Sequence, residues 1–298
     1  MNGLSTDSQL TFLCAPFLRF AAGAGEGVSC LLSRIRACVS LCRLSACAPG
    51  LLPEEWAVPV ARVDALWESA ARRCDAPGLP LADRFRLCDG LYALLRETGR
   101  TLAESDGELC DAVLFGLMDR HAPSGPPLPG DEDATCACCR VLQSFFQPAP
   151  WEDDPWFRSL RATLSGWCAS QQPDGSWEGL SSTQAWHRLE VLNRQSWLFR
   201  DAAFDRTVSL GCRYCQSALQ AAPVIPETAC ACLEALQGGH LLSRDTAGEE
   251  RAVRHLWDVV RDTGRPEETR LCVRAVLLEH QVLRRLDDLR SIRLSCSA

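Results

Sequence analysis

The sequence predicts an all-α protein in which about six helical hairpins form an α/α toroid, and three observations lead to this fold class. Leu, Ala, Val and Cys recur at i, i+3 and i+4 through most of the chain, the spacing of a buried helix face. Pro, Gly and Asp interrupt this pattern where one helix gives way to the next. Alternating patterns typical of strands are almost absent from the sequence. A chain of 298 residues, 47% hydrophobic, can bury a large core, and we expect one domain over residues 1–298.

Twelve helices follow from this pattern, and neighbouring helices pair into six hairpins. The hairpins of residues 1–125 are less regular, whereas residues 126–298 contain the clearest repeats. The predicted helices cover residues 6–22, 27–46, 54–74, 81–98, 105–121, 132–147, 155–171, 182–199, 204–220, 227–241, 247–263 and 267–290.

An internal repeat supports the pairing of helices. Four predicted helices begin with a threonine followed by small or apolar residues, and these are Thr135, Thr183, Thr228 and Thr269. Their separations of 48, 45 and 41 residues correspond to one helix pair per repeat. Small residues at these starts allow the second helix of each pair to crowd around an axis, with the bulkier first helix outside. An open solenoid would show the same period, so the repeat alone does not predict closure.

The stretch Gln171-Gln172-Pro173-Asp174-Gly175-Ser176-Trp177 favours closure. Pro173 is expected to end the preceding helix, Asp174 and Gly175 to form a tight turn, and Trp177 to clamp neighbouring helices with its ring and its N–H. The pattern Gln-x-x-Asp-Gly-Ser-Trp resembles the QW repeat of the terpene cyclase and prenyltransferase superfamily, to which squalene–hopene cyclases belong. In that family the motif closes the turn from an outer to an inner helix of an α/α toroid.

A second segment, from Asp131 to Ala137, resembles the Asp-x-Asp-Asp-Thr-Ala motif of class II terpene cyclases. The resemblance implies that Asp133 is a catalytic acid that protonates the substrate, with Asp131 as the neighbour that orients it. An apolar cavity and a nearby carboxylate both favour a protonated carboxyl group. The fourth motif position is Ala134, so one carboxylate of the family pattern is missing. Acids are also common at helix starts, and the alternative is that Asp133 is an ordinary helix cap or a solvated acid.

A cyclase also needs a cavity wall that stabilises cations, and ring faces do this. We expect Phe145, Trp186, Trp197 and His187 to contribute to substrate binding, although each of these side chains could instead be part of the core.

The first functional hypothesis is therefore a class II-type cyclase that acts on an isoprenoid chain. A second hypothesis is a non-catalytic toroid that binds a peptide, a prenylated ligand or a partner protein of the same pathway. A third is zinc-assisted thiol alkylation, in which Asp131 or Asp133, Cys136 or Cys138, and His187 would hold the metal. The zinc motif of the prenyltransferases cannot be matched residue by residue, so no cofactor is expected.

Composition restricts the partners and the compartment. A net charge of −7 argues against nucleic acid as the main partner, and every one of the 31 basic residues is arginine, which excludes lysine-based chemistry. No apolar run approaches the roughly 20 residues that span a bilayer. The first residues lack a basic, then apolar, leader pattern. Many of the 18 cysteines replace small apolar residues in helices, so we expect reduced thiols in a cytoplasmic protein.

Overall fold

A computed structural model gives the fold of the chain. It describes residues 12–13, 27–47, 60–74, 76–97, 116, 130–146, 152–193, 202–221, 226, 228–230, 233, 246–267, 269–270 and 272–281. Within these ranges the secondary structure is helical, with one isolated bridge between Gln171 and Trp177. None of the described helices is long and apolar enough to cross a membrane.

Within the described residues, eight helices have defined bounds. Their dominance confirms the predicted all-α fold class. They are α1 (Val28–Cys47), α2 (Val60–Cys74), α3 (Leu81–Glu97), α4 (Glu132–Phe146), α5 (Pro155–Ala169), α6 (Ser182–Asn193), α7 (Ala202–Ala221) and α8 (Thr246–Arg261). Residues 272–281 are also helical and are called the closing segment below. The predicted helices 6–22 and 105–121, and the ends of several others, lie mostly outside the described residues.

The helices form two layers. Helix α1 packs against α3, α3 against α4, and α4 against α6. In the chain, α2 lies between α1 and α3, and α5 lies between α4 and α6, so these two helices are left out of the series. We call α1, α3, α4 and α6 the inner helices, and α2, α5, α7 and α8 the outer helices. The hydroxyl groups of Thr183 and Thr228 lie 2.6 Å apart and link the start of α6 to helical residues 228–230. The repeated threonines thus lie where inner helices begin.

Contacts between the first and last described inner elements close the ring. Ser33 of α1 lies 3.4 Å from the Cys272 sulfur, and the Ser40 hydroxyl donates a hydrogen bond to Glu279. Both pairs are separated by 239 residues, so α1 and the closing segment run parallel and in register. An open solenoid would leave its first and last helices apart. The α/α toroid predicted from the sequence is therefore confirmed.

Two apolar clusters stabilise the layers. One joins α1, α2 and α3, and the other joins α3, α4, α5, α6 and α7 with the turn at Trp177. Cys136, Cys138 and Cys139 are fully buried in the second cluster. Cys212 of α7 is buried in the same cluster, and these four thiols serve there as small apolar side chains.

The turn between α5 and α6 forms as its sequence predicts. Asp174 Oδ1 accepts hydrogen bonds from the Ser176 amide at 2.9 Å and from the Ser176 hydroxyl at 2.7 Å. Gly175 has φ +90°, and a Cβ there would lie 2.2 Å from the Leu210 carbonyl oxygen of α7. Glycine is therefore required both by the backbone angle and by the close approach of α7.

The ends of this turn bind to the outer helices α5 and α7. The Trp177 indole N–H donates to the Trp167 carbonyl of α5 at 2.8 Å. The Gln171 amide donates to the Thr207 carbonyl of α7 at 2.9 Å. Helix α5 ends at Ala169, two residues before the predicted end, because Ser170 caps it and Gln171 pairs with Trp177.

Candidate functional site

The inner helices run parallel to one another, so their N-terminal ends share one mouth of the toroid. The acidic run that begins at Asp131 lies at this mouth, where α4 starts. Asp131 Oδ1 accepts a hydrogen bond from the Ala134 amide at 2.9 Å, and its carbonyl accepts one from the Thr135 hydroxyl at 2.9 Å. Arg86 of α3 lies 3.8 Å from the same carboxylate. Asp131 therefore caps α4, and its contacts are with the helix and Arg86.

Asp133 differs from Asp131 in every one of these respects. Its side chain is exposed, and within the described residues it forms no hydrogen bond or ion pair. Its charge acts on His187 of the neighbouring inner helix α6. The helix-cap interpretation thus applies to Asp131, whereas Asp133 has a carboxylate that a ligand can reach.

Glu132 lies between Asp131 and Asp133 in sequence, and its side chain contacts helix α6. Its Oε1 accepts a hydrogen bond from Arg188 Nε of α6 at 2.8 Å. The Arg188 guanidinium lies 4.7 Å from the ring centroid of Trp167 and 5.4 Å from that of Trp177. Because Trp167 belongs to the outer helix α5, this contact lies between the two layers. We call Glu132, Trp167, Trp177 and Arg188 the clamp.

Deeper in the toroid, three inner helices are joined by an ion-pair triad. Arg140 Nε of α4 lies 2.7 Å from Asp89 Oδ2 of α3, and Arg140 Nη1 lies 3.4 Å from Glu190 Oε2 of α6. Each of the three is eight residues after the first residue of its helix, which puts the triad about 12 Å below the mouth. Arg36 occupies the same position in α1. Positive and negative residues thus alternate around four inner helices.

Burial opposes the charge of Arg140, but the carboxylates of Asp89 and Glu190 outweigh it and raise its pKa. Arg140 is therefore a permanent cation between the carboxylates of Asp89 and Glu190.

His187 lies between these charges. Burial lowers its pKa, and so does Arg140, whereas Glu190 and Asp133 act in the opposite direction and only partly compensate. The imidazole is therefore neutral near pH 7 and offers one donor and one acceptor.

Asp133 and Arg140 are separated by seven residues on α4 and so lie on one side of that helix. We call the surface formed by Asp89, Asp133, Arg140, His187 and Glu190 the central face. These side chains are at least partly exposed, whereas Ala134, Cys138 and Leu142 on α4 are fully buried. The central face is thus polar and charged, and the apolar hollow expected from the sequence is wrong for this part of the toroid.

Two of the three aromatic residues expected to bind substrate lie away from the central face. Trp186 is fully buried in the apolar cluster that joins α3 to α7. Phe145 is half-buried and packs edge-on against Phe146, with 5.0 Å between ring centroids. Trp197 lies outside the described residues. Of the four residues expected to bind substrate, the structure thus brings His187 to the central face.

The thiols that the zinc hypothesis would use are buried. Burial raises the pKa of Cys136 and of Cys138, so both are protonated near neutral pH and are poor metal ligands. Across the described ranges, no group of three or more His, Cys, Asp or Glu side chains converges on a point where a metal ion could bind.

Asp89, Arg140, Arg188 and Glu190 were not singled out from the sequence. Each is a charged residue within an apolar helical run, and this was the signal available.

A search of solved structures finds a similar fold in an α-1,6-mannanase, GH76A of Salegentibacter sp. HEL1_6. The matching structure is an inactive variant, with two neighbouring aspartates changed to asparagine, in complex with α-1,6-mannotriose. The TM-score is 0.63 at 7% identity, and the match covers 94% of this chain and 99% of that chain. No protein-family model matches the chain, and no curated protein does so either.

This comparison corrects the predicted function. The similar toroid belongs to a carbohydrate-cleaving enzyme with a bound saccharide, and the resemblance to the terpene cyclases extends to the fold class alone. The central face agrees with the correction, because ionised carboxylates such as Glu190 would quench a carbocation rather than guide it. Terpene cyclisation, the accessory-subunit alternative, zinc-assisted alkylation and the isoprenoid substrate are therefore wrong.

Proposed function

We propose that this chain binds an oligosaccharide at the central face and cleaves a glycosidic bond there. The observation that carries the proposal is the set of partly exposed, charged side chains on consecutive inner helices of a toroid similar to that of an α-1,6-mannanase. Sugars are recognised through dense hydrogen bonds to such groups, and a charged surface is poorly suited to an apolar ligand.

Glycoside hydrolysis requires two carboxyl groups with different tasks. Arg140 pairs with Glu190 at 3.4 Å and orients its carboxylate, so we assign Glu190 as the group that activates water or attacks the anomeric carbon. Asp133 is exposed and unpaired within the described residues, and we assign it as the acid that protonates the leaving oxygen. Both carboxylates act electrostatically on His187, so this imidazole is a shared neighbour of the two. Neutral His187 would then bind a sugar hydroxyl.

Asp131 supports this site by capping α4 and is not assigned a proton-transfer step. Another acidic pair, Asp153 and Asp154, starts the outer helix α5. Asp154 accepts hydrogen bonds from the amides of Trp156 and Phe157, so its carboxylate is used as a cap. The central face remains the better candidate for catalysis.

The test is incubation of the purified chain with α-1,6-mannotriose and with longer α-1,6-linked mannan, followed by assay of new reducing ends and by calorimetric binding. We expect hydrolysis by the unmodified chain and a rate lower by roughly 100-fold or more in Asp133→Asn and in Glu190→Gln. Asp153→Asn is the matched control, because Asp153 is an exposed acid in the turn just before an outer helix, and the rate of this variant is expected to stay within about twofold of that of the unmodified chain.

Full activity in Asp133→Asn would overturn the assignment of that residue. Saccharide binding without cleavage would overturn the proposed hydrolysis, and only the proposed binding of an oligosaccharide would remain. A lack of both binding and cleavage for all of these saccharides would overturn the proposal.

A further inference from the structure

The clamp connects the turn of residues 171–177 to the first residue of α4. Arg188 is buried, and its guanidinium lies between the rings of Trp167 and Trp177. The Trp177 indole is itself fixed by its 2.8 Å hydrogen bond to Trp167. Arg188 therefore has little freedom, and its short contact to Glu132 is held in one geometry.

Glu132 precedes Asp133 directly, so a change in the Glu132 side chain affects a carboxylate assigned to catalysis. Its described contacts are the 2.8 Å hydrogen bond from Arg188 and a weak 3.8 Å contact from the Cys136 thiol. Without Arg188, a carboxylate with 15% exposure would remain in the layer between the helices with no cation. Such a group is expected to turn toward solvent, which already reaches the neighbouring Asp133 at the start of α4.

We propose that Arg188 is a positioning residue that holds the Glu132 carboxylate between the two helix layers and so leaves Asp133 as the accessible acid at the start of α4. This inference rests on the proposed function, because it assigns Asp133 a task at the central face. Arg188 itself has no contact with the central face among its described partners. It acts through Glu132 and the backbone of the first turn of α4.

The test compares Arg188→Met, Arg188→Lys and the double variant Arg188→Met/Glu132→Gln in saccharide hydrolysis. Methionine keeps the stacking volume between the two indoles but donates no hydrogen bond. We expect kcat to fall about tenfold in Arg188→Met with KM within about twofold, because Asp133 is disturbed and the rest of the site is intact. Arg188→Lys keeps a cation beside Glu132, and the double variant Arg188→Met/Glu132→Gln removes the carboxylate charge that needs one. Both variants are therefore expected to retain most of the kcat of the unmodified chain.

Trp177→Phe is the matched control, because it removes the hydrogen bond to Trp167 but keeps an aromatic ring beside Arg188 and leaves both Arg188 and Glu132 unchanged. Its kcat is expected to stay within about twofold of that of the unmodified chain. An equal loss of kcat in Trp177→Phe and Arg188→Met, or a double variant as slow as Arg188→Met, would show that Arg188 supports stability alone and would overturn the proposal.

Amide hydrogen exchange separates this inference from the proposed function, since it needs no activity. We expect faster exchange at residues 132–136 in Arg188→Met than in Trp177→Phe, relative to the unmodified chain, even if no saccharide is cleaved. Equal exchange at the start of α4 in the two variants would overturn the positioning role on its own. If the unmodified chain cleaves no saccharide but the variants show the expected exchange, the proposed hydrolysis is overturned. The proposal that Arg188 positions Glu132 at the start of α4 then stands.

Discussion

Arg140 and Arg188 lie on neighbouring inner helices and both pair with carboxylates, yet they belong to different parts of the molecule. Arg140 joins Asp89 and Glu190 at the central face, where the side chains are partly exposed. Arg188 pairs with Glu132 between the layers, beneath two tryptophan rings. One side of the inner helices thus offers charged groups to a ligand, whereas the other uses an ion pair to join helices.

The comparison teaches that a buried ion pair alone does not identify a functional site. What distinguishes the central face is the partial exposure of its charges and their position on consecutive inner helices. Changes in the clamp and its turn are therefore expected to reduce stability, and changes at the central face to alter binding and the response to pH.

The largest effect on stability is expected for Gly175→Ala in the turn. The added Cβ would lie 2.2 Å from the Leu210 carbonyl oxygen, and the residue has φ +90°. We expect a loss of roughly 3 kcal/mol or more in the free energy of unfolding, measured by denaturant titration. Gly179→Ala is the control, because Gly179 has φ +76° but open space around it, and about 1 kcal/mol is expected there. Equal losses in the two variants would contradict the role of the contact with α7.

A smaller effect is expected for Trp177→Phe, compared with Trp67→Phe. Both tryptophans have 4% exposure, but the Trp177 indole donates to Trp167, whereas the buried Trp67 indole has no acceptor within the described residues. The two changes remove the same volume, so their difference reports the hydrogen bond. We expect Trp177→Phe to cost about 1 kcal/mol more than Trp67→Phe in thermal or denaturant unfolding. If Trp67→Phe proved the costlier change, the hydrogen bond of Trp177 would not stabilise the turn.

The smallest effect is expected for His187→Gln at the central face. Burial and the charges of Arg140 and Arg36 lower the pKa of His187 from 6.5, against the opposing carboxylates of Glu190 and Asp133. Below pH 6.5 the histidine of the unfolded chain binds a proton, whereas His187 of the folded chain stays neutral to a lower pH. Acidification through this range therefore lowers the free energy of unfolding, and above it His187 makes no pH-dependent contribution. We expect the fall in Tm between about pH 7.5 and about pH 5.5 to be smaller in His187→Gln than in the unmodified chain. An unchanged pH dependence would mean that His187 is not shielded from solvent.

Much of the fold could be predicted from the sequence because its signals are local. The ends of α3 and α4 lie within one residue of the predicted helices 81–98 and 132–147, since both helices follow an uninterrupted apolar period. The turn around Gly175 was predicted because Pro173, Asp174 and Gly175 restrict the backbone by themselves. Helix α5 was predicted too long because Gln171 is drawn into a contact with Thr207, which lies on another helix. One domain across residues 1–298 stays a prediction.

The site could be predicted only in part. Asp131 and Asp133 were selected as neighbours at one helix start, but a sequence does not show which of two acids caps its helix. Their part in catalysis stays a prediction. Trp186 was expected to line a cavity because tryptophan suits that role, although the structure buries it completely. The triad of Asp89, Arg140 and Glu190 depends on contacts between residues about 50 positions apart, which no local pattern records.

The contact between Ser40 and Glu279 also has a consequence for biosynthesis. These residues are separated by 239 positions, so α1 leaves the ribosome roughly 12 to 48 seconds before its partner is made, at ordinary rates of translation. During that interval one flank of α1 has no neighbour, and we expect chaperones to bind nascent chains at this stage. Synthesis of the closing segment therefore completes the packing of α1 as well as its own.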